Sequence, residues 1–385
     1  MRMLARFWWF FVAVCDWKTL LRYLRSQPIV DVVFISNLRD QTDRDRSFGS
    51  RNPLEGHVNG PRYWFGNVSA RIRVIDTMTE ELNTVAGVKK AKRQFVSAVC
   101  WAQKNGARVV LLAARTKRLF GEHGEELKDL FPEILFTIGD NGTSHALRLD
   151  TLRALQSARL QPTARVLVIG PTGFLGTAVS SCLIDAGYSV VGLCSSAESA
   201  RRCRIEAYAS FPEIGKVDAV IACSHGKSSL LTASIIETIR RKGRKLLVVD
   251  PAEPSNLTPR QYLKSRAIVV RQDAGNAFSS RLRYVMGAVS YKMLRMTEGV
   301  VFGCFAESLV LMREMRVNRS ILDFDGFSVT EENIRTVGSL FEKYGFEAPT
   351  PRCFGREVET FNLDLVDQSQ PVARMAPPLA GVRHA

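Results

Sequence analysis

Cys304 is the residue whose type and setting best suit covalent chemistry. It follows Gly303 and opens an apolar-rich stretch, C-F-A-E-S-L-V-L-M-R-E, that reads as a helix. A thiol at a helix N-terminus meets unpaired N–H groups and the positive end of the dipole, both of which favour the thiolate. A packing cysteine leaves the same pattern, so the residues alone keep both roles open. The second constellation is R-V-L-V-I-G-P-T-G-F-L-G at 165–176, a buried-strand run that meets Gly170, Gly173 and Gly176. Such glycines allow a tight turn and a close diphosphate, and the following helix presents its N-terminus to that anion. Thr172, Phe174 and Leu175 complete the turn.

The end of the next strand selects the nucleotide. An NAD site places an acidic residue there for the ribose hydroxyls. This chain has Ser195 and Ser196, with Arg201 and Arg202 one to two turns on. Small hydroxyls and arginine suit a 2′-phosphate, because a guanidinium bonds phosphate through two N–H groups. The expected cofactor is therefore NADPH, with Glu198 as the contrary residue. Three further loops fall at carboxyl ends of strands, the edge where this fold binds ligands. They are A-C-S-H-G at 222–226, with Cys223 and Ser224; D-P-A-E-P-S-N at 250–256, with Asp250 and Pro251; and Q-D-A-G-N at 272–276. His225 is either a proton donor or a solvated loop histidine. His145, in G-D-N-G-T-S-H-A-L at 139–147, either lines a site or belongs to an ordinary helix start. Thr143 or Ser144 is the expected cap of that helix.

These residues need strand–turn–helix units to place them. From 165 to 275 the β/α alternation is regular, with strands predicted at 165–169, 189–193, 217–222, 245–249 and 267–270 and a helix at 228–242. The fold class is α/β: a Rossmann-type doubly wound parallel sheet, flanked by a second α/β lobe built from N- and C-terminal segments. That lobe has predicted strands at 30–35, 71–75, 108–113 and 134–137. Its helix over 80–105 carries an apolar stripe of Val88, Ala91, Phe95, Val99 and Ala102. Residues 40–62, rich in Arg, Asp, Gly, Asn and Pro, read as loop; 276–298 read as helix; Thr330 caps a last helix over 331–345. The chain thus divides into an extension (1–31), a substrate domain (32–160), a nucleotide domain (161–275), a helical segment carrying Cys304 (276–348) and a tail (349–385) expected to be disordered.

A chain of 385 residues, 46% hydrophobic and 24% charged, can bury a large core. Its formal charge of +15, from 53 Lys and Arg against 38 Asp and Glu, points to an acidic partner. There is no long Lys/Arg block and no aromatic–basic interleaving, so nucleic acid is not the expected partner. None of the eight cysteines forms a CxxC pair, and no Cys/His cluster has zinc-ligand spacing, so no metal site is expected. Most cysteines read as small buried hydrophobes, and a reducing cytoplasm fits best. The run F-W-W-F-F-V-A-V-C at 7–15 is too short to span a bilayer. It reads either as an interfacial membrane anchor or as a non-native upstream extension.

Five ordered motifs resemble those of the cyanobacterial long-chain acyl-(acyl-carrier-protein) reductases. They are A-Q-K-N-G at 102–106, F-T-I-G-D-N-G-T at 136–143, V-I-G-P-T-G-F-L-G at 168–176, V-V-D-P-A-E-P-S-N-L at 248–257 and V-F-G-C-F-A-E-S-L-V-L at 301–311. With Y-G-F at 344–346 the resemblance covers roughly residues 32–348. It implies an NADPH-dependent thioester reductase that makes a fatty aldehyde, with Cys304 taking the acyl group covalently and Gly170, Gly173 and Gly176 in the nucleotide loop. It also implies an acyl donor on an acidic acyl carrier protein or coenzyme A, and the net positive charge suits the carrier protein. The chain departs from the family at Ala113-Ala114, where a Gly-Gly pair is usual. An arginine near Ser196 is replaced, with Arg201 or Arg202 as its substitute, and the loop at 139–145 differs in length and order. Two other classes stay open: an NADP-dependent dehydrogenase of an alcohol or ketone without covalent catalysis, and a non-catalytic NADP-binding module.

Overall fold

The computed structural model describes residues 15–49, 55–224, 226–285 and 296–365. The glycine turn of 165–176 opens a six-stranded sheet of β6 (Arg165–Ile169), β7 (Ser189–Leu193), β8 (Glu206–Tyr208), β9 (Ala219–Ala222), β10 (Leu246–Asp250) and β11 (Val269–Asp273). Its order is β11-β10-β9-β6-β7-β8, and every neighbouring pair is parallel. Two strand runs diverge from a central pair, β6 and β9, which is the doubly wound Rossmann-type order. Such strands are buried on both faces, which explains their continuous apolar runs. Gly170 and Cys223 leave the carboxyl ends of that central pair, at the switch point.

The flanking lobe holds a second six-stranded sheet, of β1 (Val32–Leu38), β2 (His57–Phe65), β3 (Val68–Met78), β4 (Val109–Leu112), β5 (Leu135–Thr137) and β13 (Leu282–Tyr284). The order is β13-β2-β3-β1-β4-β5; β3, β1, β4 and β5 are parallel, β2 pairs antiparallel with β3, and β13 pairs antiparallel with β2. Alternate residues face opposite sides of a strand. Val33, Ile35 and Val110 pack towards Phe95 and Val99 of the helix Val85–Lys104. Phe34, Tyr63 and Leu111 pack on the other side, towards the helices Gly303–Met315 and Glu331–Tyr344. Phe305 stacks on Phe34 with ring centroids 4.1 Å apart, so the residue after Cys304 is seated on the central strand. Burying such a ring contributes roughly 2–3 kcal/mol.

Several sequence expectations change. Residues 40–62 are not one loop: they contain the helix Gln41–Phe48 and most of β2. Asp40 caps that helix by accepting from the Asp43 N–H, and β2 carries Gly60 and Pro61 in an irregular register between Asn59 and Arg62. Such breakers hide a strand from composition. The stretch 276–298 does not start as a helix. It forms β12 (Asn276–Phe278) and β13; residues 286–295 lie outside the described ones, and β14 (Val300–Phe302) pairs back on β12. The tail is ordered to residue 365, with a hairpin of β15 (Arg352–Cys353) and β16 (Arg356–Glu357) and with Leu363 buried in the nucleotide-sheet core. The expected disorder over 366–385 falls outside the described residues. The extension joins the flanking lobe through the helix Trp17–Leu24 and through Val30, which is buried in the core. Of the eight cysteines only Cys194 is buried; Cys15 and Cys100 are exposed and the rest half-buried, so most are not core hydrophobes.

Candidate active site

Cys304 lies in the first turn of Gly303–Met315, where that helix enters the junction of the two lobes. Close backbone approach sets its position. A Cβ on Gly139 would come within 2.3 Å of the Cys304 Cβ, and one on Gly142 within 2.6 Å of the Gly303 carbonyl. Gly139 also has a φ of 72°, a left-handed conformation that glycine adopts freely. On the nucleotide side, the Gly303 N–H donates to the Gly275 carbonyl at 2.9 Å. Gly275 follows β11 and is held in turn by Asp150, which accepts its N–H at 2.9 Å.

Three ionisable side chains that no sequence pattern singles out gather around this turn. Lys117 follows the carboxyl end of β4 and pairs with Asp140, which follows β5. Glu307, one helical turn beyond Cys304, is fully buried; it accepts from Thr137 Oγ1 and from the Gly142 N–H, the latter at 2.6 Å. Glu307 thereby caps the helix Asp140–Ser157 from a neighbouring helix. The expected caps do not act: Thr143 donates to the Gly139 carbonyl, and no side chain within the segment caps the start. Burial pushes the Cys304 thiol up to about 11; Lys117 works against this, and Asp140 and Glu307 add to it. The helix N-terminus alone therefore does not leave a resting thiolate. Burial also lifts Glu307 to about 7, despite the hydrogen bonds from Thr137 and Gly142. For Lys117, burial opposes the charge, but Asp140 and Cys304 outweigh it and the ammonium stays above its ordinary value. Tyr63 is fully buried in the same cluster, and its hydroxyl has no partner among the described residues. Burial raises its phenol, as do Tyr284 and Cys304.

The nucleotide edge is built as its glycines predict. Gly170 has a φ of 78°, and a Cβ there would lie 2.4 Å from the Ser224 Cβ. A Cβ on Gly176 would lie 2.0 Å from the Gly170 carbonyl, so only glycine lets this helix sit so close to its strand. Gly173 caps the helix Phe174–Asp185 without a side-chain bond and is exposed, with Thr172 and Phe174 exposed beside it. Leu175 is half-buried against the sheet core. An uncovered helix N-terminus beside a glycine turn fits a dinucleotide diphosphate. Ser195, Ser196 and Arg201 are exposed just beyond β7. The Ser196 hydroxyl caps the short helix Ala197–Arg201 by accepting from the Ser199 N–H at 3.1 Å. Glu198, the contrary acid, pairs with Arg202.

Other predicted residues serve their own loops. Asp250 is buried, accepts from the N–H groups of Ala252, Asn256 and Leu257, and pairs with Arg271 at 3.2 Å. Its carboxylate shapes the loop after β10, and half-buried Pro251 starts that loop. Cys223 packs against the nucleotide-sheet core, and burial drives its thiol far up. Ser224 lies against Gly170. His145 meets Phe341 edge-on at 5.6 Å, so it packs on the helix Glu331–Tyr344. His225 lies outside the described residues. Ala114, in the pair that replaces the Gly-Gly of the resembled reductases, has a φ of 55°, a conformation that costs a non-glycine residue about 1 kcal/mol.

No protein-family model matches the chain, and no curated protein matches it. Solved structures with some likeness include two oxidoreductases and a synthase. The NADPH-dependent glyoxylate/hydroxypyruvate reductase of Sinorhizobium meliloti is 16% identical over 32% of this chain and 58% of its own, with a TM-score of 0.28. A dipicolinate synthase chain of Bacillus halodurans is 15% identical over 42% and 56%, at 0.29. The D-lactate dehydrogenase of Salmonella is 12% identical over 63% and 78%, at 0.29. This chain spans a little over half the length of the first two. Likeness at this level bears on neither substrate nor reaction.

Proposed function

We propose that this chain is an NADP-dependent oxidoreductase that reduces an acyl thioester to an aldehyde through a covalent acyl-Cys304. The observation that carries this reading is the position of Cys304. It stands in the first turn of a helix whose leading residue, Gly303, is bonded to Gly275 at the carboxyl edge of the nucleotide sheet. When bound, the nicotinamide nucleotide would supply a hydride at that edge. The residues that would hold it are Gly170, Gly173 and Gly176 with the N-terminus of Phe174–Asp185, and Ser195, Ser196 and Arg201 for the 2′-phosphate.

The chain's own part is thiol chemistry. The Cys304 thiol loses its proton, Sγ bonds the thioester carbonyl carbon, and the old carbon–sulfur bond breaks. The carrier thiolate leaves and takes up a proton. An acyl group on sulfur remains a good acceptor for reduction. Lys117 favours the thiolate, and the buried Tyr63 hydroxyl is available to a developing oxyanion. The carrier would be an acidic acyl carrier protein or coenzyme A, both complementary to a chain of net charge +15.

A second reading, reduction of an oxo group without covalent catalysis, is favoured by the raised pKa of Cys304, which keeps the resting thiol protonated at neutral pH. Purified protein with acyl thioester and NADPH, compared with Cys304→Ala, separates the two. Aldehyde formation that disappears in the variant supports the covalent route. Ketone or aldehyde reduction that survives in the variant, with no thioester turnover in either protein, supports the second.

A further inference from the structure

The helix Trp17–Leu24 buries none of its residues. Trp17 is 56% exposed, Leu20 44%, and Tyr23 and Leu24 70% each. An eight-residue helix with no buried side chain of its own gains little from packing, yet this one is pinned at both ends. At its start, Asp16 is buried and accepts from Trp64 Nε1 at 2.9 Å and from Arg62 at 2.7 Å. Near its end, Arg22 pairs with Asp31 at 2.9 Å, donates to the Asn67 carbonyl, and lies over the Trp64 ring. The polar anchors fix the helix to the flanking lobe and leave its aromatic and aliphatic side chains facing outward. Between it and Trp64 runs a groove of about 250 Å³, bordered by Trp17, Lys18, Leu21 and Arg25.

We infer that this face docks on an anionic lipid surface. Residues 15–30 carry Lys18, Arg22 and Arg25 against a single acid, Asp16, which is paired with Arg62; Arg22 is engaged by Asp31, while Lys18 and Arg25 form no ion pair among the described residues. A second copy meeting this face would bring the same cations against themselves, because a two-fold interface joins like surfaces. Anionic headgroups are the complementary partner. Tryptophan and tyrosine with basic neighbours are the side chains that settle at the boundary between headgroups and acyl chains. No helix among the described residues is long and apolar enough to cross a membrane. The inference does not depend on the reaction at Cys304.

The test is co-sedimentation of the full chain with vesicles of phosphatidylcholine alone and of phosphatidylcholine mixed with phosphatidylglycerol. The protein should partition onto the mixed vesicles and be released by high salt. Lys18→Gln with Arg25→Gln should weaken partition roughly thirtyfold, about fivefold per cation. Trp17→Ser with Tyr23→Ser and Leu24→Ser should weaken it at least as much, and thermal unfolding should show every variant folded. Unchanged partition of either variant set, or no preference for the anionic vesicles, overturns the inference. So does a lipid-free dimer that the same substitutions dissociate.

Discussion

The backbone N–H of Gly303 donates to the carbonyl oxygen of Gly275 at 2.9 Å, joining the first turn of the Cys304 helix to the turn that follows the last strand of the nucleotide sheet. This bond crosses the two lobes at one point, and the room around it is minimal. A Cβ on Gly303 would lie 2.8 Å from Thr143 Cα, 2.9 Å from the Gly142 carbonyl and 2.9 Å from the Gly275 carbonyl. All three are backbone atoms, which cannot swing aside. Gly303→Ala should therefore destabilise the fold by about 1–3 kcal/mol and abolish turnover while leaving nucleotide affinity within a few-fold. Melting temperature and NADPH titration check both halves.

Lys117 should govern the reactivity of Cys304. With the thiol held at about 11, the rate of iodoacetamide labelling should keep climbing through pH 9 and 10 without a plateau. Lys117→Gln keeps a donor for Asp140 but removes the cation that favours the thiolate. Labelling at pH 9 should then slow by roughly tenfold, since a neighbouring charge shifts a pKa by about a unit or more. A rate unaffected by the substitution would separate Lys117 from the thiol.

Glu307 should leave a mark on stability against pH. Its carboxyl titrates near 4.5 when unfolded and about 7 when folded. Between those values the folded state holds a proton that the unfolded state has released, so stability falls as pH rises from about 4.5 to about 7 and is level above. Asp150, raised to about 7 by burial, adds to the same slope. Glu307→Gln should flatten part of this fall, read as melting temperature from pH 5 to 8. An identical slope in the variant would mean that Glu307 is already charged in the folded protein.

Arg201 tests the choice of nucleotide. It is exposed beyond β7 in the short helix capped by Ser196. Arg201→Ala should raise the dissociation constant for NADPH about tenfold, as expected for loss of one charge-assisted phosphate bond, and leave NADH unchanged. Equal effects on both nucleotides would place the arginine away from the 2′-phosphate.

The nucleotide half was readable from sequence because its signals are local. Gly170, Gly173 and Gly176 follow a continuous apolar run, and strands and helices alternate at short spacing. The flanking lobe was less readable. Gly60 and Pro61 break the pattern of β2, and β13 joins its sheet only by pairing with a strand more than two hundred residues earlier. Cys304 could be singled out by its glycine and its helix. Lys117, Asp140 and Glu307 could not, because their pairing arises when β4, β5 and the Cys304 helix are brought together. One signal was present: Lys117 and Asp140 each follow the carboxyl end of a predicted strand, the edge where ligands bind in such sheets.

The central claim is that Cys304 carries an acyl group, and intact-protein mass spectrometry after exposure to a mixture of acyl thioesters tests it most directly. One acyl increment on the wild-type chain is predicted, mapped to Cys304, absent in Cys304→Ala, and discharged as aldehyde when NADPH is added. An unmodified mass, or an increment that persists in Cys304→Ala, would contradict it.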